Sequence, residues 1–157
     1  MKRIWWAVAT ALLAGCGVQP SRVADGGEPP TGLARGTTLY FVDAHDELRP
    51  RLRRTGRLGT ISEALALLFS GPGDSGLRTE IASDATTRTV VTTAPGVMQL
   101  MVPITIHDVT PLGIDQIVCT ALGVHVQGGG SKSMKVRVSF IQPTPESDER
   151  RTCPLIR

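Results

Sequence analysis

Two apolar stretches with helical period, each bracketed by start and stop signals, most constrain what this chain can fold into. In the first, Ile61, Ala64, Leu65 and Leu68 recur at i, i+3, i+4 and i+7, and Leu67 and Phe69 widen the stripe. Thr60-x-x-Glu63 at its head is a capping box: the threonine hydroxyl accepts from a first-turn N–H and the glutamate reaches back to the cap N–H. Gly71 is placed to end this helix, and Pro72 forbids its continuation. In the second stretch, Ile114, Ile117, Val118, Ala121 and Leu122 share one face, with Pro111 near the start and Gly123 near the end. Two one-sided helices need a common surface to cover.

Strand-like runs supply that surface. "TTLYFVD", Thr37 to Asp43, is β-branched and aromatic. "TTRTVVTTAPGVMQLMVPI" reads as a hairpin: one strand ends near Thr93, Ala94-Pro95-Gly96 turns, and the next strand runs from Val97 to Val102. In "SMKVRVSFIQ", Met134, Val136, Val138 and Phe140 alternate with Lys135, Arg137 and Ser139, so one face is buried and one is wet. "AHDELRPRLRRTGRLG", broken by Pro50 and Gly56, reads as a polar loop. "PITIHDVTPLG" reads as an irregular connection and "GGGS" at Gly128 as a flexible one. The order is β-α-β-β-α-β, and the fold class is α+β: one small mixed sheet with both helices on one face. Aromatics make up only 4% of the chain, and Trp5 and Trp6 stand near its start, so the core is expected to be aliphatic.

The opening residues set the compartment. "MKRIWWAVATALLAGCG" has a basic start (Lys2, Arg3) and an apolar run from Ile4 to Ala14, too short to span a bilayer comfortably. It ends in Leu13-Ala14-Gly15-Cys16, which looks like a bacterial lipobox, in which the cysteine thiol receives a diacylglyceryl group; the plainer alternative is a secretory signal with a chance cysteine. Two acyl chains make a stable anchor where one is marginal. The expected layout is therefore a signal peptide over 1–15, a lipidated Cys16 and disordered tether over 16–37, a folded domain over 38–141, and a C-terminal tail over 142–157. The Gly- and Pro-rich tether reaches roughly 25 Å, placing the domain on the outer face of the cytoplasmic membrane. With Cys16 on lipid, Cys119 and Cys153 remain. Outside the cytoplasm they allow one intramolecular disulfide, which would pin the tail. The rival reading, a metal site or reactive thiol, has no His-rich spacing behind it.

"GPGDSG", Gly71 to Gly76, fits G-x-G-x-x-G letter for letter. The dinucleotide fingerprint works only where a strand leads through the glycines into a helix N-terminus. These glycines instead follow a helix, Pro72 has no N–H to offer, and Asp74 would repel a pyrophosphate. No acidic ribose-binding residue stands between Thr93 and Gln99. The motif therefore reads as a helix stop and a loose loop, and no cofactor is expected.

"LYFVD" (Leu39 to Asp43), "ALALLFSGP…GLRTEI" and "IDQIVCTAL" (Ile114 to Leu122), in that order, resemble a GerMN domain, a module of sporulation and germination proteins and of actinobacterial envelope lipoproteins. The likeness covers about Thr38 to Phe140, and "LL-x-GP" is its most specific mark. The resemblance implies a small α+β fold similar to ring-building modules of secretion-like assemblies, and scaffolding rather than catalysis, with no catalytic residues to carry over. The chain has Ala82 where the family often has proline, and Cys119 where an aromatic often stands.

Candidate chemistry is sparse. His45, His107 and His125 are scattered, and zinc would need three or four convergent ligands, so no metal is expected. Ser70 and Ser75 lie outside any G-x-S-x-G elbow. A hydrolase would need a pocket joining His107 to further triad members. Arg49, Arg51, Arg53, Arg54 and Arg57 crowd into nine residues, on which two expectations rest. Either they meet an anionic wall polymer or lipid head groups, or they pair locally with acids such as Asp43, Asp46 and Glu47. The expected function is a non-enzymatic envelope lipoprotein with a protein partner, with homo-oligomerisation open. Nucleic acid is excluded by the exported location and the lack of stacking aromatics.

Overall fold

The first strand, β1 (Thr37–Val42), is buried along almost its whole length, and the rest of the fold is arranged to enclose it. In the computed structural model, which describes residues 36–82 and 88–157, β1 pairs antiparallel with β2 (Leu48–Arg53). Next come α1 (Ile61–Phe69), β3 (Val90–Ala94), β4 (Val97–Met101), a 3₁₀ turn (Ile106–Asp108), α2 (Pro111–Gln127), β5 (Lys135–Ser139) and a second 3₁₀ turn (Pro145–Asp148). The class is α+β. The expected elements occur in the expected order with one strand added, and the strands are divided between two sheets, β1-β2 and β3-β4-β5.

The added strand corrects the loop expected over the arginine stretch. Pro50 sits opposite Tyr40 inside β2. Proline is tolerated there because β2 is an edge strand and needs no second ladder partner. The expected single sheet is divided for a related reason. The side of β1 away from β2 is occupied by helix side chains. Gln116 and Thr120, one turn apart on α2 and fully buried, bond to Tyr40: the Gln116 amide donates to the Tyr40 carbonyl at 2.9 Å, and the Thr120 hydroxyl accepts the Tyr40 N–H at 3.2 Å. Further along, Val42 forms a two-way backbone bridge with Arg78. With these groups satisfied, β1 has no edge left to offer to β4 or β5.

The helix signals hold at atomic detail where they concern caps. The Thr60 Oγ1 accepts from the Glu63 N–H at 3.2 Å, and Glu63 Oε2 accepts from the Thr60 N–H at 2.7 Å. Gly71, just past the end of α1, has φ +85° and donates its N–H to Leu68. α2 has Pro111 in its first turn, as expected, and Thr110 is its N-cap. It does not stop at Gly123, which lies inside it. A Cβ there would stand 3.2 Å from the Tyr40 ring, so this glycine is a packing notch against β1 rather than a terminus.

In the second sheet β3 and β4 form the expected hairpin around Pro95-Gly96, with Gly96 at φ +74°. β4 and β5 run parallel, connected through α2. Met98, Leu100, Val136 and Val138 point to the core and are fully buried. The core is aliphatic in bulk, yet Tyr40, Phe41, Phe69 and Phe140 are all in it, so every aromatic residue after the opening segment is spent on packing.

Candidate functional site

The arginine stretch resolves into two populations. On β2, Arg49, Arg51 and Arg53 alternate with Pro50 and Leu52, so the three share one face. Arg49 is tied down: its Nε donates to Asp43 Oδ2 at 2.6 Å and its Nη2 to Glu47 at 2.6 Å. Asp43 also accepts the His45 and Glu47 amides at 2.8 and 3.0 Å, closing the turn between β1 and β2. The Arg49 guanidinium, with these amides, holds the Asp43 carboxyl down at about 2. Arg57 pairs with Glu63 at 2.8 Å. The Glu63 carboxyl is held down at about 2, first by the Thr60 N–H and then by Arg57. Arg53 donates to the Gly71 carbonyl at 3.1 Å. α1 has no basic residue in its last turn, so β2 supplies the cation that faces its negative end. Arg51 and Arg54 have no acidic partner among the described residues. Local pairing therefore accounts for Arg49 and Arg57, helix-end binding for Arg53, and neither for Arg51 or Arg54.

Sequence reasoning passed over Arg78, which ties more of this region together than any of the five. It donates to the Asp43 carbonyl, to Asp46 and, at 3.1 Å, to Glu80 Oε1, joining the β1–β2 turn to the segment after the glycines. A lone arginine in a loop gives no periodic signal, and two of its three partners, Asp43 and Asp46, lie over thirty residues away in sequence.

His107 lies in a cleft of about 420 Å³ with Thr79, Glu80, Asp108 and Thr110. These groups are committed to structure. Asp108 Oδ2 accepts the Thr105 N–H and hydroxyl at 2.7 and 2.8 Å, and Glu80 accepts from Arg78 and from the Thr110 hydroxyl. No hydrogen bond joins His107 to either carboxylate among the described residues, and Ser70 and Ser75 do not line the cleft. Among the described residues no three His, Cys, Asp or Glu side chains gather as a metal set.

Cys119 in α2 and Cys153 in the tail form a disulfide, Cα–Cα 4.7 Å across a separation of 34 residues, and both are buried. Two residues before it the tail makes a two-way backbone bridge from Arg151 to Val136 on β5. The outer edge of β5, with its exposed Lys135, is thus bridged by the tail at Val136. β3 is the other edge. It is mostly exposed and pairs only with β4 among the described residues. Its Val90 stands opposite Met101 on β4, and both are 55% exposed.

No family model, curated protein or solved structure matches this chain. Cys16 and the leader lie outside the described residues. Among the described residues no helix is long and apolar enough to cross a membrane.

Proposed function

We propose that this chain is a non-catalytic, membrane-anchored envelope lipoprotein. Its GerMN-like module joins a protein assembly outside the cytoplasmic membrane, in sporulation, germination or envelope upkeep. The observation that carries the reading is the asymmetry of the three-stranded sheet: β5 is bridged at Val136 by a covalently pinned tail, while β3 has no strand partner but β4 among the described residues and stands beside exposed Val90 and Met101. An extended segment of a partner, or of a second copy, adds to such an edge through main-chain hydrogen bonds. A buried disulfide fits an oxidising compartment, which agrees with export through the Lys2–Cys16 leader. The carboxylates around His107 are engaged in caps and ion pairs, which supports binding over hydrolysis.

A photo-crosslinker at Thr92, on the exposed side of β3, tests this in the producing cell. The expected result is a discrete adduct with an envelope protein or a second copy, absent when the probe stands at Lys135. Equal labelling from both positions would sink the edge-docking reading. The anchor is checked separately: Cys16→Ala should abolish incorporation of acyl label, and persistent label would refute the lipobox.

A further inference from the structure

We propose that the cleft between the arginine face of β2 and the loop after α1 binds a phosphodiester monoanion whose neighbouring carbons carry hydroxyl groups. The site rests on neither the anchor nor the edge of β3. The cleft encloses about 210 Å³ and is lined by Arg51, Leu52 and Arg53 on one side and by residues 72–75 on the other. That is below the roughly 300–1,000 Å³ of a site for a whole drug-sized molecule, so it takes a group within a larger molecule.

Three features make the cleft suited to an oxyanion. The first is paired guanidinium groups. Arg53 is already positioned by its bond to the Gly71 carbonyl, and Arg51, two residues away on the same face, has no acidic partner among the described residues. A planar guanidinium is matched to a phosphate oxygen pair. The second is the loop backbone. The amides of Gly73, Asp74 and Ser75 donate to no protein group among the described residues, while the turn over Asp74–Ser75 engages the Gly76 amide, and Gly73 at φ +60° and Gly76 at φ +71° shape that turn. Consecutive free amides in such a turn form an anion-binding concavity. The third is Ser75, whose oxygen accepts the Leu77 N–H at 3.4 Å and leaves its own proton to donate.

Asp74, also on the lining, selects among anions. Two guanidinium groups against one carboxylate leave a single positive charge, which a monoanion neutralises and a dianion exceeds. The carboxylate accepts from a hydroxyl next to the phosphate. Bare phosphate and simple dialkyl phosphates lack that donor. The G-x-G-x-x-G spacing thus fails as a dinucleotide fingerprint, while its backbone still presents amides to one phosphate group.

The test is a titration of the full chain with glycerophosphoglycerol at fixed ionic strength, followed by amide and guanidinium nitrogen shifts. Saturable shifts at Gly73 to Gly76 and at Arg51 are expected. Arg51→Ala should weaken binding about tenfold, the loss of one charge-assisted contact, without lowering the melting temperature. Arg54→Ala removes the same charge just outside the cleft and should change affinity less than about twofold. Asp74→Ala, which removes the acceptor, should erase the preference for glycerophosphoglycerol over dimethyl phosphate. Vesicles of phosphatidylglycerol in phosphatidylcholine separate the sources: binding lost in Arg51→Ala assigns a lipid head group, and absence of vesicle binding beside glycerophosphoglycerol binding assigns a soluble polymer. No saturable shift up to about 50 mM, or equal weakening by Arg51→Ala and Arg54→Ala, overturns the proposal.

Discussion

The two sheets are finished at their edges by different chemistry. The β1-β2 ribbon is closed on its inner side by polar side chains of α2, with Gln116 and Thr120 taking the place of a neighbouring strand, and its turn is held by Asp43, Arg49 and Arg78. The β3-β4-β5 sheet is held at β5 by a backbone bridge from the tail to Val136, and that tail is fixed by a disulfide. A polar closure depends on a few buried hydrogen bonds whose loss leaves unpaired groups. A covalent closure depends on one bond and on the entropy of the loop it shuts. The difference teaches where each half is vulnerable.

The largest effect is expected from the covalent closure. Cys153→Ala opens a loop of 34 residues, worth about 3–4 kcal/mol in the chain-entropy model. Chemical denaturation should report that loss. Hydrogen exchange should show the Val136 amide, now bonded to the Arg151 carbonyl, becoming labile while β1 amides keep their protection. A tail that stays docked in the variant would mean that Arg151 and its neighbours hold β5 without help, and the contrast between the sheets would fail.

The polar closure comes next. Gln116→Ala leaves the Tyr40 carbonyl and the Glu80 N–H, both bonded to that side chain, without partners. The expected cost is about 1–3 kcal/mol, with protection lost first in β1. A neutral result would show that water or a shifted β1 replaces the amide. Thr60→Ala, which removes the hydroxyl that accepts the Glu63 N–H and keeps the backbone N–H that donates to the Glu63 carboxylate, should cost about 1 kcal/mol and leave both closures intact.

What was legible in the sequence follows the same division. Period and capping chemistry are local, so the capping box of α1, the Thr110–Pro111 start of α2 and the Pro95-Gly96 turn could all be read from a few neighbouring residues. The two cysteines could be paired by elimination once the leader suggested export. Edge closure is not local. Gln116 and Thr120 look like ordinary polar residues of a helix, and their purpose is visible only when Tyr40 lies beside them. β2 was hidden because an edge strand tolerates proline and has no buried face to enforce alternation. Gly123 reads as a stop because local rules know nothing of the Tyr40 ring across from it. The arginine stretch showed its charge in the sequence, but its division into Arg49 and Arg57 on acids, Arg53 on a helix end, and Arg51 on a cleft required the fold.

Acid sharpens the contrast with the smallest effect. Asp43 and Glu63 are both depressed to about 2, from ordinary values of 3.8 and 4.5, by bonds that only the folded ribbon and helix cap provide. A carboxyl held down in the folded state adds stability that is fully present above its unfolded value and is lost as pH falls through the folded one. Loss should therefore begin below about pH 4.5 and run toward pH 2. Asp115, in the first turns of α2 and raised by burial, changes in the opposite sense and offsets part of it. Glu63 and both arginine partners are largely exposed at these ion pairs, so the change is small. Its location is the informative part. Amides of β1 and β2 should lose protection before those of Leu100 and Val138, whose sheet is closed by a disulfide that does not titrate. Simultaneous loss across both sheets would show that the ribbon and the three-stranded sheet unfold as one unit and that their separate closures confer no separate stability.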